Sequence, residues 1–255
     1  FTDQEFYTTQ EENLDKHFHN GGRSNMSVAD SSFDTWLDGY VLGIPNRKVS
    51  IYTEGALCAF MLDIHILNKS GGNKSLRDLM TKLYLEYACK GKGITEEDYI
   101  HELLSFGGDK ALRIIEDHIY GTKDFRASLD EVLSLVGLGI VEQNNPNILA
   151  SKLGVKGLVQ ADGFHVKQVE LNSISDQYKM AEGDVIVALN GEKVTKELLQ
   201  TQSLKENVHI KLKRRFETID IEITTTSETF YPSHKIMPLE EVSDQQKKLF
   251  GRWCS

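Results

Sequence analysis

The chain has 255 residues, of which 40% are hydrophobic and 26% charged, as in folded globular proteins and unlike disordered ones. Its 29 basic and 38 acidic residues give a formal net charge of -9, the wrong sign for a protein that binds phosphate backbones, so we expect no nucleic-acid partner. The most apolar stretch, residues 56–67, is interrupted by Asp63 and His65, and we expect no membrane span. The length favours two domains.

In chain order, the first half has apolar residues at the spacing of three and four that predicts helices. The predicted helices end near His19, cover 57–67, begin at Ser75, begin at Thr95 and end at Gly107-Gly108, cover 112–119, and cover 128–136. These apolar stripes are expected to form a core.

Past Gly137 the hydrophobic period changes from 3.6 to 2, which predicts strands. The predicted strands are 164–169, 184–189, 208–213 and 219–223, with one helix at 195–202 and a last helix at 245–253. The fold class is therefore α+β with two domains: an all-α helical domain over 1–136 and a small β-sandwich or barrel over 137–228. A tail with a terminal helix covers 229–255.

The three cysteines, Cys58, Cys89 and Cys254, have no C-x-x-C spacing and are expected to be free, mostly buried thiols. So few cysteines suit either the cytoplasm or a bacterial envelope, which leaves the localisation open between cytoplasmic and periplasmic or secreted. The chain begins with Phe1 rather than methionine, and no charged-then-apolar leader follows. We therefore expect it to begin within a longer protein.

No metal ligand is predicted in this chain. The string from His101 to Ser105 begins like the zinc motif H-E-x-x-H, but serine stands where the second histidine must be. The pairs His17/His19 and Asp63/His65 are two residues apart, so each pair points to different faces of a helix.

Two segments are candidates for function. Residues 49–56 read as a strand-like lead into a helix, with Tyr52 at the helix start and Gly55 allowing close backbone packing. Such a tyrosine is more often an amphipathic residue at the edge of a core, but a phenol held there could also donate to a developing oxyanion.

The second segment is Met180 to Val194, whose Gly-Asp and Asn-Gly turns flank a buried strand and look like a PDZ domain. Leu153, Gly154 and Val155 resemble the loop of such domains that receives a C-terminal carboxylate, followed by the strand to which a peptide adds. The alternative is that this groove is empty and the domain packs on its neighbour.

Together the two halves resemble a known family. The motifs that carry the resemblance are Ser31 to Trp36, Tyr52 to Ala56, Ser70 to Met80, Thr95 to Tyr99, and the tail with 236–239 and 245–253. They look like the C-terminal part of the glycyl aminopeptidase family, peptidase family sixty-one. The resemblance covers nearly the whole chain.

This resemblance implies a zinc aminopeptidase of the thermolysin-like class, which hydrolyses N-terminal glycine or alanine from peptides. In that class H-E-x-x-H and a later glutamate hold the metal, whose water attacks the peptide carbonyl. Tyr52 matches the tyrosine of a Tyr-x-x-Gly step that hydrogen-bonds the oxyanion. The family more usually has lysine where this chain has Glu54.

The zinc motif does not occur in these 255 residues. We therefore expect no cofactor in this chain, zinc in the parent enzyme, and no hydrolysis by the chain alone. The expected partners are the upstream catalytic part of the parent protein, and peptides or protein C-termini in the PDZ groove. The alternative is a naturally short, non-catalytic PDZ-containing protein that binds peptides or acts as a scaffold.

Overall fold

The structure is a computed structural model and describes residues 3–38, 46–201, 204 and 206–254. The chain divides into two compact units, one made of 1–141 together with 234–255 and the other of 142–233. The first unit thus draws on two separate stretches of sequence, whereas the second is continuous. The domain boundaries at 136/137 and 228/229 stay predictions.

The first unit is mostly helical. Its helices are α1 (Asp3–Phe18), α2 (Val28–Asp38), α3 (Ile51–Lys69), α4 (Leu76–Glu86), α5 (Glu96–Ile114) and α6 (Arg126–Leu135). The central one is α3, which packs against the other five and buries Leu57, Met61 and Ile64 completely or nearly so. Short polar signals start these helices: Ser75 with Asp78, and Thr95 with Asp98, form capping boxes.

The predicted helix end at Gly107-Gly108 is confirmed as a kink that divides α5 into two helical segments. Gly108 has φ 67° and ψ -162°, which interrupts the backbone hydrogen bonds of the helix. The Nζ of Lys69, at the end of α3, donates instead to the carbonyl oxygens of Leu104 at 3.1 Å and Ser105 at 3.4 Å. A neighbouring helix thus satisfies carbonyls that the kink releases.

Strand β1 (Leu138–Gln143) follows α6 and ends within the second unit, which begins at residue 142. That unit contains β2 (Val155–Gln160), β3 (Gly163–Val169), α7 (Ile174–Gln177), β4 (Val185–Leu189), β5 (Glu192–Lys193), α8 (Lys196–Thr201), β6 (Asn207–Arg214) and β7 (Glu217–Thr224). The strands form one antiparallel sheet in the order β2-β3-β4-β6-β7, and β5 pairs with β4.

The register of this sheet aligns its core residues. Phe164 pairs with Ile186, which pairs with Leu212, and all three side chains are completely buried. Burial alternates along β6, which puts its apolar face into the core of the unit.

An ion pair whose carboxylate is buried fixes the start of β4. The guanidinium of Arg214 donates to both oxygens of Asp184 at 2.7 Å, and the backbone N–H of Ala181 donates to the same carboxylate at 2.9 Å. Asp184, with only 1% of its surface exposed, raises the pKa of Arg214 through this bidentate bond. The aspartate of the Gly-Asp turn is therefore a structural anchor.

The chain then returns to the first unit. Strand β8 (Ser233–Pro238) pairs with β1 in a two-stranded sheet, and α9 (Asp244–Trp253) packs against α3 and α6. The Trp253 ring lies edge-on to Phe6, with 4.8 Å between ring centroids, and 5.4 Å from Phe60. Leu249 of α9 belongs to the same buried cluster.

The predicted fold class, α+β with a helical domain followed by a sheet-rich domain, is confirmed, although the sheet is open and not closed into a barrel. Thr195 does not begin the only helix among the strands, because α7 is a second one. Within the described residues, no helix combines the length and apolarity needed to cross a bilayer.

Candidate functional site

Tyr52 lies in the first turn of α3. The Oγ of Ser50 caps this helix by accepting from the backbone N–H of Thr53 at 3.3 Å. The next two side chains, Thr53 and Glu54, are buried, whereas Tyr52 keeps 68% of its surface exposed. An anchored helix start therefore presents a phenol outward.

The anchor below Tyr52 is a buried pair between α3 and α1. The Nδ1–H of His17 donates to Oε2 of Glu54 at 2.6 Å, and both side chains are almost fully inaccessible. The imidazole also packs against Phe125, with 4.3 Å between ring centroids. Its Nε2 is buried with no hydrogen-bond partner among the described residues. Glu54, the departure from the family pattern, thus has a partner in this chain.

Gly55 does not pack closely against other backbone, so that expectation is wrong. No described atom lies within 4 Å of the position that a Cβ would take there. Gly107 differs, since its Cβ would lie 2.3 Å from the Cβ of Ala111. Among the described residues, Gly55 therefore borders open space.

The string that begins at His101 does not form a metal site. Glu102 is buried and accepts from Nζ of Lys82 at 2.5 Å, while His101 is exposed. The pair Asp63 and His65, also rejected as metal ligands from the sequence, has other surroundings. Asp63 accepts a hydrogen bond from the backbone N–H of Leu76 at 2.7 Å, and burial raises the pKa of Asp63. Burial lowers the pKa of His65.

The predicted carboxylate loop is a tight turn at the start of β2. Gly154 is left-handed with φ 70°, and its Cβ would lie 2.3 Å from the Cβ of Ser173, so only glycine fits. Its N–H donates to the carbonyl oxygen of Ala150 at 3.2 Å. Leu153 and Val155, on either side, are completely buried. A carboxylate bound here must therefore compete for the Gly154 amide or use other groups.

Two lysines near this loop could bind a carboxylate. Lys152 and Lys156 flank it and are half-buried, and Nζ of Lys156 lies 4.8 Å from the ring centroid of Tyr231. Within the described part of the sheet, β2 pairs with β3 on one side only, so its other edge is open to a further strand. Positive charge and an open strand edge thus lie together.

The cysteine prediction holds only in part. None of the three cysteines forms a disulfide, but only Cys58 is buried, and Cys89 and Cys254 are exposed. Burial raises the pKa of Cys58 above its ordinary value.

The structure contains a cluster of possible metal ligands that the sequence did not predict. Asp15, His19 and His234 bring ligand-type atoms within 4.8 Å of one another. Their separation in sequence hides the cluster from motif reasoning, and only the four-residue spacing of Asp15 and His19 hints at it.

Comparison with known proteins bears on the first unit. The sequence model of the M61 glycyl aminopeptidase family matches residues 1–58, a segment that includes Tyr52. The resemblance to that metallopeptidase family is thereby confirmed. No curated protein matches the chain at a significant level.

Solved structures are similar to more of the chain. The crystal structure of an aminopeptidase N family protein from Idiomarina loihiensis matches with TM-score 0.84 and 23% identity, over 99% of this chain and 44% of that one. This chain thus shares its fold and spans less than half of its length.

Two PDZ structures also match. One is a PDZ domain protein from Parabacteroides distasonis, with 13% identity and TM-score 0.26, over 38% of this chain and 22% of that one. The other is the HtrA3 PDZ domain bound to a phage-derived ligand, with 17% identity and TM-score 0.23, over 39% of this chain and 92% of that one. At these scores neither carries an argument about function.

Proposed function

We propose that this chain forms the C-terminal part of a zinc-dependent aminopeptidase that removes glycine or alanine from peptide N-termini. The carrying observation is the placement of Tyr52, exposed at the capped start of α3 within the segment that matches the glycyl aminopeptidase family. The match to an aminopeptidase fold over 99% of the chain supports the same proposal.

In this proposal the phenol of Tyr52 donates a hydrogen bond to the oxyanion that forms when the peptide carbonyl is attacked. The buried pair of His17 and Glu54 and the Ser50 cap hold the helix start, so the phenol is positioned before substrate arrives. Zinc, when bound in the whole enzyme, would supply an activated water. The residues from His101 to Ser105 do not fit a zinc ion, because Ser105 stands where the second histidine ligand would be.

The first test replaces Tyr52 by phenylalanine in the whole enzyme, with glycyl and alanyl amides as substrates. Loss of one oxyanion donor is expected to lower kcat about 100-fold to 1000-fold with little change in thermal stability. Tyr84→Phe is the control, because Tyr84 is 61% exposed on another helix. An unchanged rate in Tyr52→Phe would return Tyr52 to the role of a core-edge residue.

We also propose that the second unit binds a free peptide C-terminus at Leu153, Gly154 and Val155, with the peptide adding to the open edge of β2. Lys152 and Lys156 provide the charge that attracts a carboxylate. The same binding is the whole function under the alternative of a non-catalytic peptide-binding protein. Activity of the whole enzyme on glycyl amides separates the two.

The second test titrates labelled peptides with free or amidated C-termini against the chain. We expect only the free acid to bind, and Lys156→Gln to weaken it several-fold. Lys167→Gln, an exposed lysine on β3, is the matched control and should bind as the unmodified chain does. Equal binding of the acid and the amide, or no binding of either, would show that the loop at Leu153, Gly154 and Val155 does not bind a C-terminal carboxylate.

A further inference from the structure

We propose that Asp15, His19 and His234 form a binding site for a divalent transition-metal ion such as Zn²⁺. Their ligand-type atoms, one from each side chain, all lie within 4.8 Å of one another. All three residues belong to the first unit. This inference rests on that geometry and is independent of the proposed peptidase activity.

The backbone explains why the three side chains meet. The N–H of His19 donates to the carbonyl oxygen of Asp15 at 3.1 Å, so the helical turn of α1 extends to His19. Residues four apart on a helix lie on one face, which places the carboxylate and the imidazole side by side. His234, at the start of β8, closes the cluster: its backbone N–H lies 2.8 Å and its Nδ1 2.9 Å from Oδ1 of Asp15.

The distances suit a small ion. Zinc binds imidazole nitrogen and carboxylate oxygen at about 2.0–2.2 Å, so two ligands on a tetrahedral ion are roughly 3.3 Å apart. The 2.9 Å between Asp15 and His234 is close to that value, and a ligand atom of His19 lies within 4.8 Å of both. Three protein ligands leave the fourth position for water, and two imidazoles favour zinc-like ions over Mg²⁺ or Ca²⁺.

Packing holds the two imidazoles. His19 is 6% and His234 2% exposed, and the ring of Phe18 stacks on His234 with 4.4 Å between centroids and 23° between planes. Asp15 is only half-buried, which gives an ion a route from solvent. Ligands whose orientation is fixed before binding lose little freedom when the ion arrives.

Binding should stabilise the fold. Asp15 and His234 are 219 residues apart, so the site exists only when both stretches of the first unit are assembled. An ion that binds only the folded state shifts unfolding by mass action, raising the folding equilibrium constant about 100-fold at a concentration 100 times Kd. The melting temperature should therefore rise with zinc concentration.

The test uses the full chain after chelator treatment, in a Cys89→Ser/Cys254→Ser background, because exposed thiols also bind zinc. Zinc is titrated by calorimetry, and Co²⁺ by visible absorption to report coordination. We expect one ion per chain, and at least a tenfold loss of affinity in both Asp15→Asn and His19→Gln. Each variant's melting temperature without metal shows whether it folds, and its zinc-induced shift is compared with its own baseline.

His209→Gln is the matched control, since His209 lies 3.4 Å from Asp220 in an exposed histidine–carboxylate pair. It should leave zinc affinity unchanged. Absence of saturable binding, or equal zinc affinity in Asp15→Asn and His19→Gln, would overturn the proposal and leave the cluster as a hydrogen-bonded contact between α1 and β8.

Discussion

At the scale of single residues, Glu54 is explained by its partner. A carboxylate in the first turn of a helix is favoured by the helix dipole, and His17 gives it a hydrogen-bond partner in a site with almost no solvent. The two residues are 37 positions apart, so no local pattern could pair them. The place of Tyr52 at a helix start was predictable because the signals that set it, including Ser50, are local.

Replacing Gly55 or Gly107 by alanine should change the free energy of unfolding in opposite directions. Gly55→Ala should raise the free energy of unfolding by about 0.5–1 kcal/mol, because alanine favours the helix and no described atom opposes its Cβ. Gly107→Ala should lower that free energy, since the new Cβ would meet Ala111 at 2.3 Å. Urea denaturation of both variants measures the difference. A loss of stability in Gly55→Ala would contradict the open environment described for it.

At the scale of elements, local chemistry predicted starts and turns well. Ser75 located the start of α4, and the pair Thr95 and Asp98 located the start of α5. The apolar patterns located β3, β4, β6 and β7, which are four of the eight described strands. Helix α2 was missed because Phe33, Trp36 and Leu37 are largely exposed, so its apolar residues do not mark a buried face. The break at Gly108 was predicted from the glycine pair, but the group that satisfies the carbonyls beside it comes from α3, which no local pattern indicates.

Lys69→Met tests that explanation. The substitution keeps much of the side-chain length but removes the donor to Leu104 and Ser105, and we expect the free energy of unfolding to fall by about 1 kcal/mol. Lys90→Met is the control, because its ion pair with Glu86 is an exposed contact within one turn. If both variants unfold at the same denaturant concentration as the unmodified chain, Lys69 does not support the kink.

At the scale of the whole molecule, the period change near Gly137 was enough to predict two parts. It was not enough to predict that the last stretch rejoins the first unit, since α9 depends on contacts with Phe6 and Phe60 far away in sequence. The cluster of Asp15, His19 and His234 was not predicted because its members are also far apart in sequence. Each unit has its own buried cluster of apolar side chains.

Removing residues 243–255 should therefore act on one unit. The deletion takes away Leu249 and Trp253, and we expect the melting transition of the first unit to fall by several degrees. Hydrogen exchange followed by mass spectrometry should show lost protection in α3 and unchanged protection in β3, β4 and β6. Comparable loss in the strands would mean that the units unfold together. Leu249→Ala should reproduce the effect in weaker form.

The interleaving of the first unit also sets an order of events during translation. The second unit is continuous and can fold once residue 233 has left the ribosome, while the helical unit still lacks β8 and α9. Until then the apolar surface that α9 covers, including that of Phe60, stays accessible to chaperones or to other nascent chains. Ribosome pausing between residues 233 and 255 would lengthen that exposure.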